Sequence, residues 1–292
     1  IDEAHLLLTQ GKQSYRGKNQ LQDIIERARV TVVMFDEYQI LTTEQFWEAQ
    51  ILEKYRKQAE ATNNHIILDK QLRMQAGPET MDWIDSFTKR NEIKKLPETV
   101  DGYTIKVFDD PEQLDLEITE KAKKTDSALS RLIATYDWEY SSKAKRRFRK
   151  YWEVEIGAWH KPWNRELKSE LSQKEKRQIK DLAWAEQPQT INEVGSTFTI
   201  QGFDLNYAGV ILGPSVKYRN GKVIYDPEKS CNDKAIQNRT LSDGSKQKFG
   251  EILIQHAVRV LMTRGVNGMF IYACDDELRE ALKRATQRGE TK

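Results

Sequence analysis

Short, nearly unbroken apolar runs alternating with amphipathic stretches are the feature that most restricts what this chain can fold into. Residues 30–35, 207–212 and 268–273 are apolar with almost no polar interruption. A strand with one wet face alternates with a period of two, whereas a run that is apolar at successive positions has both faces covered. Residues 65–68, 103–108 and 131–136 read as further strands. Between them lie helical patterns: Leu21, Ile24, Ile25 and Ala28; a stretch carrying Phe46, Trp47, Ile51 and Leu52; a helix opening near Pro111; and a long face of Phe249, Ile252, Leu253, His256, Ala257, Val260 and Leu261. Thr42 and Gln45 have the spacing of a capping box for the second of these. Strands alternating with helices predict α/β architecture, with parallel sheets flanked by helices. Residues 216–225 instead predict a hairpin around Asn220-Gly221, a pair that tolerates the positive φ angles of a type I′ turn.

A chain of 292 residues accommodates two medium domains. The pattern breaks near residues 91–102, at Lys94, Lys95, Pro97 and Gly102, which predicts domains over 1–95 and 96–292. Residues 143–185 differ in kind, with a basic run followed by Trp152, Trp159, Trp163 and Trp184, and read as an insertion. No apolar run approaches the roughly 20 residues of a membrane helix, and no signal peptide is evident. Cys231 and Cys274 lie far apart without metal-type spacing, as ordinary thiols of a reducing cytoplasm would. The net charge of +2 neither favours nor opposes a polyanionic partner, so any such signal must be local. The chain opens inside what reads as the end of a buried strand, at Ile1-Asp2-Glu3-Ala4-His5, and is expected to be a fragment.

Asp2-Glu3 after an apolar residue has the form of a Walker B strand end. In open parallel sheets, acids beyond the carboxyl ends of strands face the ligand. The first can hold hydrated Mg²⁺ and the second can deprotonate an attacking water; a solvated helix start is the plain alternative. Asp36 and Gln39 follow another apolar run, where a glutamine can sense a γ-phosphate or simply sit in a polar turn. Arg73 and Arg264 are candidate phosphate clamps, because a planar guanidinium suits the spread charge of a transferring phosphoryl group. Taken singly, each arginine is more often a surface ion-pair member, and Arg264 is expected to be exposed.

The order of these residues carries a resemblance. Asp2-Glu3, Asp36-x-x-Gln39, Leu72-Arg73, Gln201-Gly202-Phe203-Asp204 and Val260-Leu261-Met262-Thr263-Arg264-Gly265 resemble the successive motifs of superfamily 1 helicases. The phrases at residues 199–212 and 136–139 are similar to the Schlafen group 3-like DNA/RNA helicase domain family. The resemblance covers nearly the whole chain and implies two RecA-like lobes, the first incomplete. It implies ATP and Mg²⁺ as cofactors and DNA or RNA, single-stranded, as partner. Asp2 would then hold the metal through water, Glu3 would activate the hydrolytic water, and Gln39 would meet the γ-phosphate beside Asp36. Arg73 and Arg264 would reach that phosphate from the second lobe, with Gln201, Gly202 and Thr263 at the nucleotide and Asp204 replacing the usual glutamate at the ribose. Phe35 stands where such motors carry glycine, and Leu72 where they carry an aromatic residue. The P-loop that would cradle the triphosphate is absent from the sequence and is expected in a preceding segment.

Arg146, Arg147, Arg149 and Trp152 could bind nucleic acid, the cations on phosphates and the ring beneath a base. The alternative is a solvated face with tryptophans covering a core. His256 reads as a core histidine, and His5 and His160 lack metal spacing. A helicase-like binding scaffold with a slow or lost nucleotide cycle is the competing reading of the whole. A two-metal nuclease is disfavoured by the arginine motifs and by the lack of a second acidic cluster.

Overall fold

The computed structural model describes residues 1–11, 15–68, 72–96, 102–141 and 149–286. Its helices are α1 (Gln20–Ile25), α2 (Ala49–Ala61), α3 (Pro78–Lys89), α4 (Pro111–Ala122), α5 (Gln173–Gln178), α6 (Thr197–Ile200), α7 (Asp233–Ile236), α8 (Gly250–Met262) and α9 (Asp276–Thr286). Its strands are β1 (Thr104–Val107), β2 (Arg131–Ala134), β3 (Glu153–Ile156), β4 (Trp159–Pro162), β5 (Val194–Ser196), β6 (Leu205–Leu212), β7 (Val216–Arg219), β8 (Lys222–Tyr225), β9 (Asn238–Thr240), β10 (Lys246–Lys248) and β11 (Gly265–Ala273). Two compact units form: Ile1–Leu72 with Asp233–His256, and Arg73–Asn232 with Ala257–Lys292.

The second unit is built on a sheet of order β1-β11-β6-β2-β5 with every pairing parallel. The apolar runs at its centre explain that order. Ala208, Val210, Ile211 and Leu212 of β6 and Met269, Phe270 and Ile271 of β11 are fully buried, as two-sided burial of a central strand requires. Each such large aliphatic contributes about 1.5–3 kcal/mol through its removal from water. Helix α4 starts at Pro111 behind an Asp110 cap, whose side chain accepts from Glu112 N at 2.8 Å, and buries Leu114 and Ile118 on the sheet. This helix-flanked parallel sheet is a RecA-like α/β arrangement. The hairpin of β7 and β8 turns at Asn220 (φ 52°) and Gly221 (φ 78°), both in the left-handed region that a type I′ turn demands.

The tryptophan-rich segment forms the antiparallel pair β3–β4 and joins the second unit's core. Val154 and Trp163 are fully buried with Leu114, Leu132 and Phe270. The indole N–H of Trp138 donates to Glu155 O (3.2 Å) and that of Trp159 to Asp115 Oδ2 (3.3 Å), so these rings cover apolar surface with their polar edges satisfied.

The first unit packs Leu21, Ile40, Trp47, Ala235 and Leu253 together, with Phe46 stacked on Phe249 at 3.9 Å between centroids. Here the sequence expectations are corrected in three places. Residues 30–35 are extended but form no strand, and Val30 and Val32 are 81% and 68% exposed rather than covered on both faces. Residues 65–68 likewise stay outside any sheet, with Ile66, Ile67 and Leu68 exposed. The physical reason is shared: among the described residues no strand lies alongside to complete their hydrogen bonds and shield their side chains. Thr42 makes no side-chain cap; a short 3₁₀ turn, Thr43–Gln45, intervenes, and α2 begins only after Glu48. In α8, Leu253, His256, Val260 and Leu261 are buried as expected, Ile254 and Val258 join them, and Ile252 is exposed.

Candidate functional site

In the first unit the two acidic motifs are tied together by backbone. The Ile1 amino group donates to Val32 O at 2.5 Å, and Met34 N donates to Ile1 O at 2.9 Å. These are the two bonds of one parallel bridge, centred on Ile1 and Val33. Both segments therefore run the same way, and Asp2-Glu3 and Asp36 leave them at the same end. Ala4 N then donates to Met34 O at 2.8 Å and Ala4 is fully buried, which fixes the turn. Glu3 sits in the left-handed region, at φ 53° and ψ 43°, a conformation that costs a non-glycine residue on the order of 1 kcal/mol. Its carboxylate lies 2.8 Å from Nε2 of the buried His5. Asp36 Oδ1 accepts from Tyr38 N (3.0 Å) and Oδ2 from Gln39 Nε2 (3.1 Å), so the i, i+3 spacing is used to orient the glutamine. His256 is a core histidine, with Nδ1 3.0 Å from Ile40 O and its ring edge-on to Tyr38. Among the described residues no cluster of three potential metal ligands occurs.

In the second unit the amino-terminal edge of the sheet gathers the remaining motif residues. Gln201 to Asp204 form the turn between α6 and β6, with Gly202 at φ 78°. Arg73 Nε lies 2.6 Å from Asp204 Oδ1, and Arg264 Nη1 lies 3.9 Å from the same oxygen. Arg264 also donates from Nε to Val260 O (3.2 Å) and from Nη1 to Phe203 O (3.4 Å). It is fully buried, which corrects the expectation of an exposed arginine: Leu205 N donates to Arg264 O at 2.8 Å and draws the residue into the edge of the sheet. Gly265 makes this turn possible, because a Cβ there would lie 2.1 Å from Gly268 O at the irregularity where β11 joins β6. Gln75 N donates to Val266 O (2.8 Å), pinning the Arg73 segment to the same edge. Thr263 Oγ1 donates to Arg259 O (2.9 Å) and closes the last turn of α8.

The structure thus brings Asp2, Glu3, Asp36 and Gln39 together in one unit and Arg73, Gln201, Gly202, Asp204, Thr263 and Arg264 in the other. The basic segment divides differently. Arg146 and Arg147 lie outside the described residues. Arg149 is 3.2 Å from Glu153 and 3.1 Å from Glu155, and the Trp152 indole N–H donates to Ser141 O at 3.0 Å. Arg149 and Trp152 are therefore held by the protein itself.

Arg131 and Asp137 are among the buried charged groups that escaped the sequence reading. Arg131, the first residue of β2, donates to Thr190 Oγ1 and to the carbonyls of Ala128 and Ser130, and burial lowers its guanidinium to about 10. Asp137 follows β2 at the carboxyl edge of the sheet, accepting from Thr135 Oγ1 (2.8 Å) and Ser215 N (2.9 Å) through Oδ2. Burial pushes its carboxyl up to about 6. It stands where the crossings reverse, since β2 leads to β5 on one side and β6 to β11 on the other. An acid just past a strand end was the one available signal for Asp137; nothing local distinguishes Arg131 from a surface arginine.

A RecA-like sheet with two arginines against a Gln-Gly-x-Asp turn is similar to a lobe of the helicase class. The match to known proteins is more specific: residues 1–275 fit the family model described as Schlafen group 3, DNA/RNA helicase domain, and the chain belongs to that family. It is similar to "Uncharacterized protein YPL245W" of Saccharomyces cerevisiae, at 30% identity over 312 residues. That alignment covers 99% of this chain and 64% of the yeast protein, so the chain spans less than two thirds of its relative. No solved structure matches it.

Proposed function

We propose that the chain is the greater part of an ATP-dependent motor that moves along or remodels single-stranded nucleic acid. The observation that carries this reading is the convergence of Arg73 and Arg264 on one loop at the edge of a parallel sheet. Two guanidinium groups held this way suit an anion with several charged oxygens, and phosphoryl transfer is catalysed chiefly by such positioning. In the first unit Asp2 is the residue to hold Mg²⁺, and its side chain and that of Glu3 are open enough to take part. The metal would supply charge neutralisation at the phosphates. Glu3 takes the proton of the attacking water, and Gln39, held by Asp36, orients that water.

Exposed apolar residues in the first unit support a further part of this reading. Val30, Val32, Ile66, Ile67 and Leu68 have the composition of sheet interior and no covering strand among the described residues. They suit added parallel strands from a segment of the same polypeptide that also carries a Gly-x-x-x-x-Gly-Lys-Ser/Thr loop.

Magnesium-dependent ATP turnover of the longest natural polypeptide containing these residues, with and without single-stranded DNA or RNA, tests the proposal. Stimulated turnover that Glu3→Gln abolishes is expected, while the 292-residue chain alone should turn over little ATP. A Glu3→Gln protein as active as wild type refutes the assignment.

A further inference from the structure

The two arginines on the sheet edge share a single carboxylate. Asp204 Oδ1 lies 2.6 Å from Arg73 Nε and 3.9 Å from Arg264 Nη1, and all three residues belong to the second unit. Two cations held this close repel each other unless an anion lies between them, and a buried guanidinium such as that of Arg264 is costly without one. A carboxylate and a phosphoryl group offer a guanidinium the same thing, paired oxygen acceptors bearing negative charge. Asp204 therefore occupies, chemically, the place of the anion that the arginines are assigned to bind.

We propose that Asp204 is an exchangeable counter-ion that positions Arg73 and Arg264 in the nucleotide-free protein and yields them to the nucleotide phosphate. This rests on the motor reading above and deepens it. It gives Asp204 a role opposite to the ribose contact implied by resemblance to other helicases. A ribose ligand adds to nucleotide affinity, whereas a counter-ion competes with the phosphate for the same two cations. The side chain is 42% exposed, so it has open solvent to turn into. Gln75, bonded to Val266 O, and Leu205, whose N–H donates to Arg264 O at 2.8 Å, keep both arginine backbones in place while it does so.

The two roles predict effects of opposite sign. Binding of ATP and of inorganic tripolyphosphate, which has no sugar, is measured by calorimetry on the full natural polypeptide with wild type, Asp204→Asn and Asp204→Glu. Removal of the competing charge is expected to tighten both ligands about two- to fivefold, the range set by a partly exposed ion pair. Asp204→Glu, which keeps the charge, should restore weaker binding of both. If Asp204→Asn instead weakens ATP while leaving tripolyphosphate unchanged, the residue is a ribose ligand and the proposal is overturned. Unchanged affinity for both ligands overturns it as well. If wild type binds neither ligand, the nucleotide reading itself has failed and this inference falls with it.

Discussion

Replacing Arg264 by alanine should damage folding and turnover together, and the structure sets the size of each effect. The side chain is fully buried, so truncation removes two methylenes, Cγ and Cδ, from packing, at about 0.8 kcal/mol each. It also deletes two long hydrogen bonds, to Val260 O at 3.2 Å and Phe203 O at 3.4 Å, each contributing on the order of 0.5 kcal/mol net at such lengths. The pairing with Asp204 adds little, because that partner is 42% exposed and screened by solvent. Relief of the guanidinium's desolvation offsets part of the loss, leaving about 1–2 kcal/mol. For a unit of roughly 200 residues this corresponds to a fall in melting temperature of about 2–8 °C. If the group also stabilises the phosphoryl transition state, kcat should drop by about two to four orders of magnitude. Arg264→Lys keeps much of the buried stem and should recover most of the melting temperature. It should recover little of the turnover, because an ammonium cannot reproduce the planar fork. Differential scanning fluorimetry and single-strand-stimulated ATP turnover of the three proteins separate the effects. A melting temperature within 1 °C of wild type for Arg264→Ala would refute the burial argument. Turnover near wild type in a protein that melts early would refute the finger role.

Asp137 carries a folded-state carboxyl pushed up to about 6 by burial, above the ordinary 3.8. Its contribution to stability is therefore fully present below pH 3.8 and is lost as pH rises through 6, on the order of 3 kcal/mol in all. Urea unfolding at pH 4, 5, 6 and 7 should show Asp137→Asn losing this part of the pH dependence; slopes identical to wild type would refute the assignment. Gly213→Ala places a Cβ 2.4 Å from Asp137 Oδ2 and 2.7 Å from Thr135 Oγ1, and should destabilise by about 1–3 kcal/mol in the same assay, whereas a neutral effect would show that this crossing point can relax. Alanine at Arg146, Arg147 and Arg149 should weaken single-strand binding and flatten the dependence of log affinity on log salt. An unchanged slope would leave Arg149 with its ion pairs to Glu153 and Glu155 as its whole role.

What could be read from the sequence followed from local chemistry that the fold then repeated. The β6 and β11 runs name themselves as central parallel strands because residues apolar on both faces have no other stable place. Asn220-Gly221 fixes its hairpin because few other pairs accept two positive φ angles in succession. Residues 30–35 have the same local signature and a different outcome. Burial is a property of neighbours, and the Ile1–Val33 bridge supplies one neighbour on one side only. Thr42 and Gln45 had capping-box spacing, yet the Gln45 side chain donates to Leu6 O at 3.3 Å, a tertiary bond that local spacing cannot reveal.

The site divides along the same line. The motif order placed Asp36 against Gln39 and set Arg73 and Arg264 apart from other arginines, but it was silent on which carboxylate would meet them. Arg264 was misjudged as exposed because arginine is seldom buried and pattern alone carries no depth. Its depth comes from the sheet: Leu205 N donates to Arg264 O and Gly265 tucks against Gly268, so the residue between α8 and β11 is drawn into the edge of the layer. Arg73 and Arg264 both lie against the Asp204 carboxylate at that edge, at 2.6 and 3.9 Å from its Oδ1. The sign of the Asp204→Asn effect therefore bears on the site more directly than the loss of activity in any arginine variant.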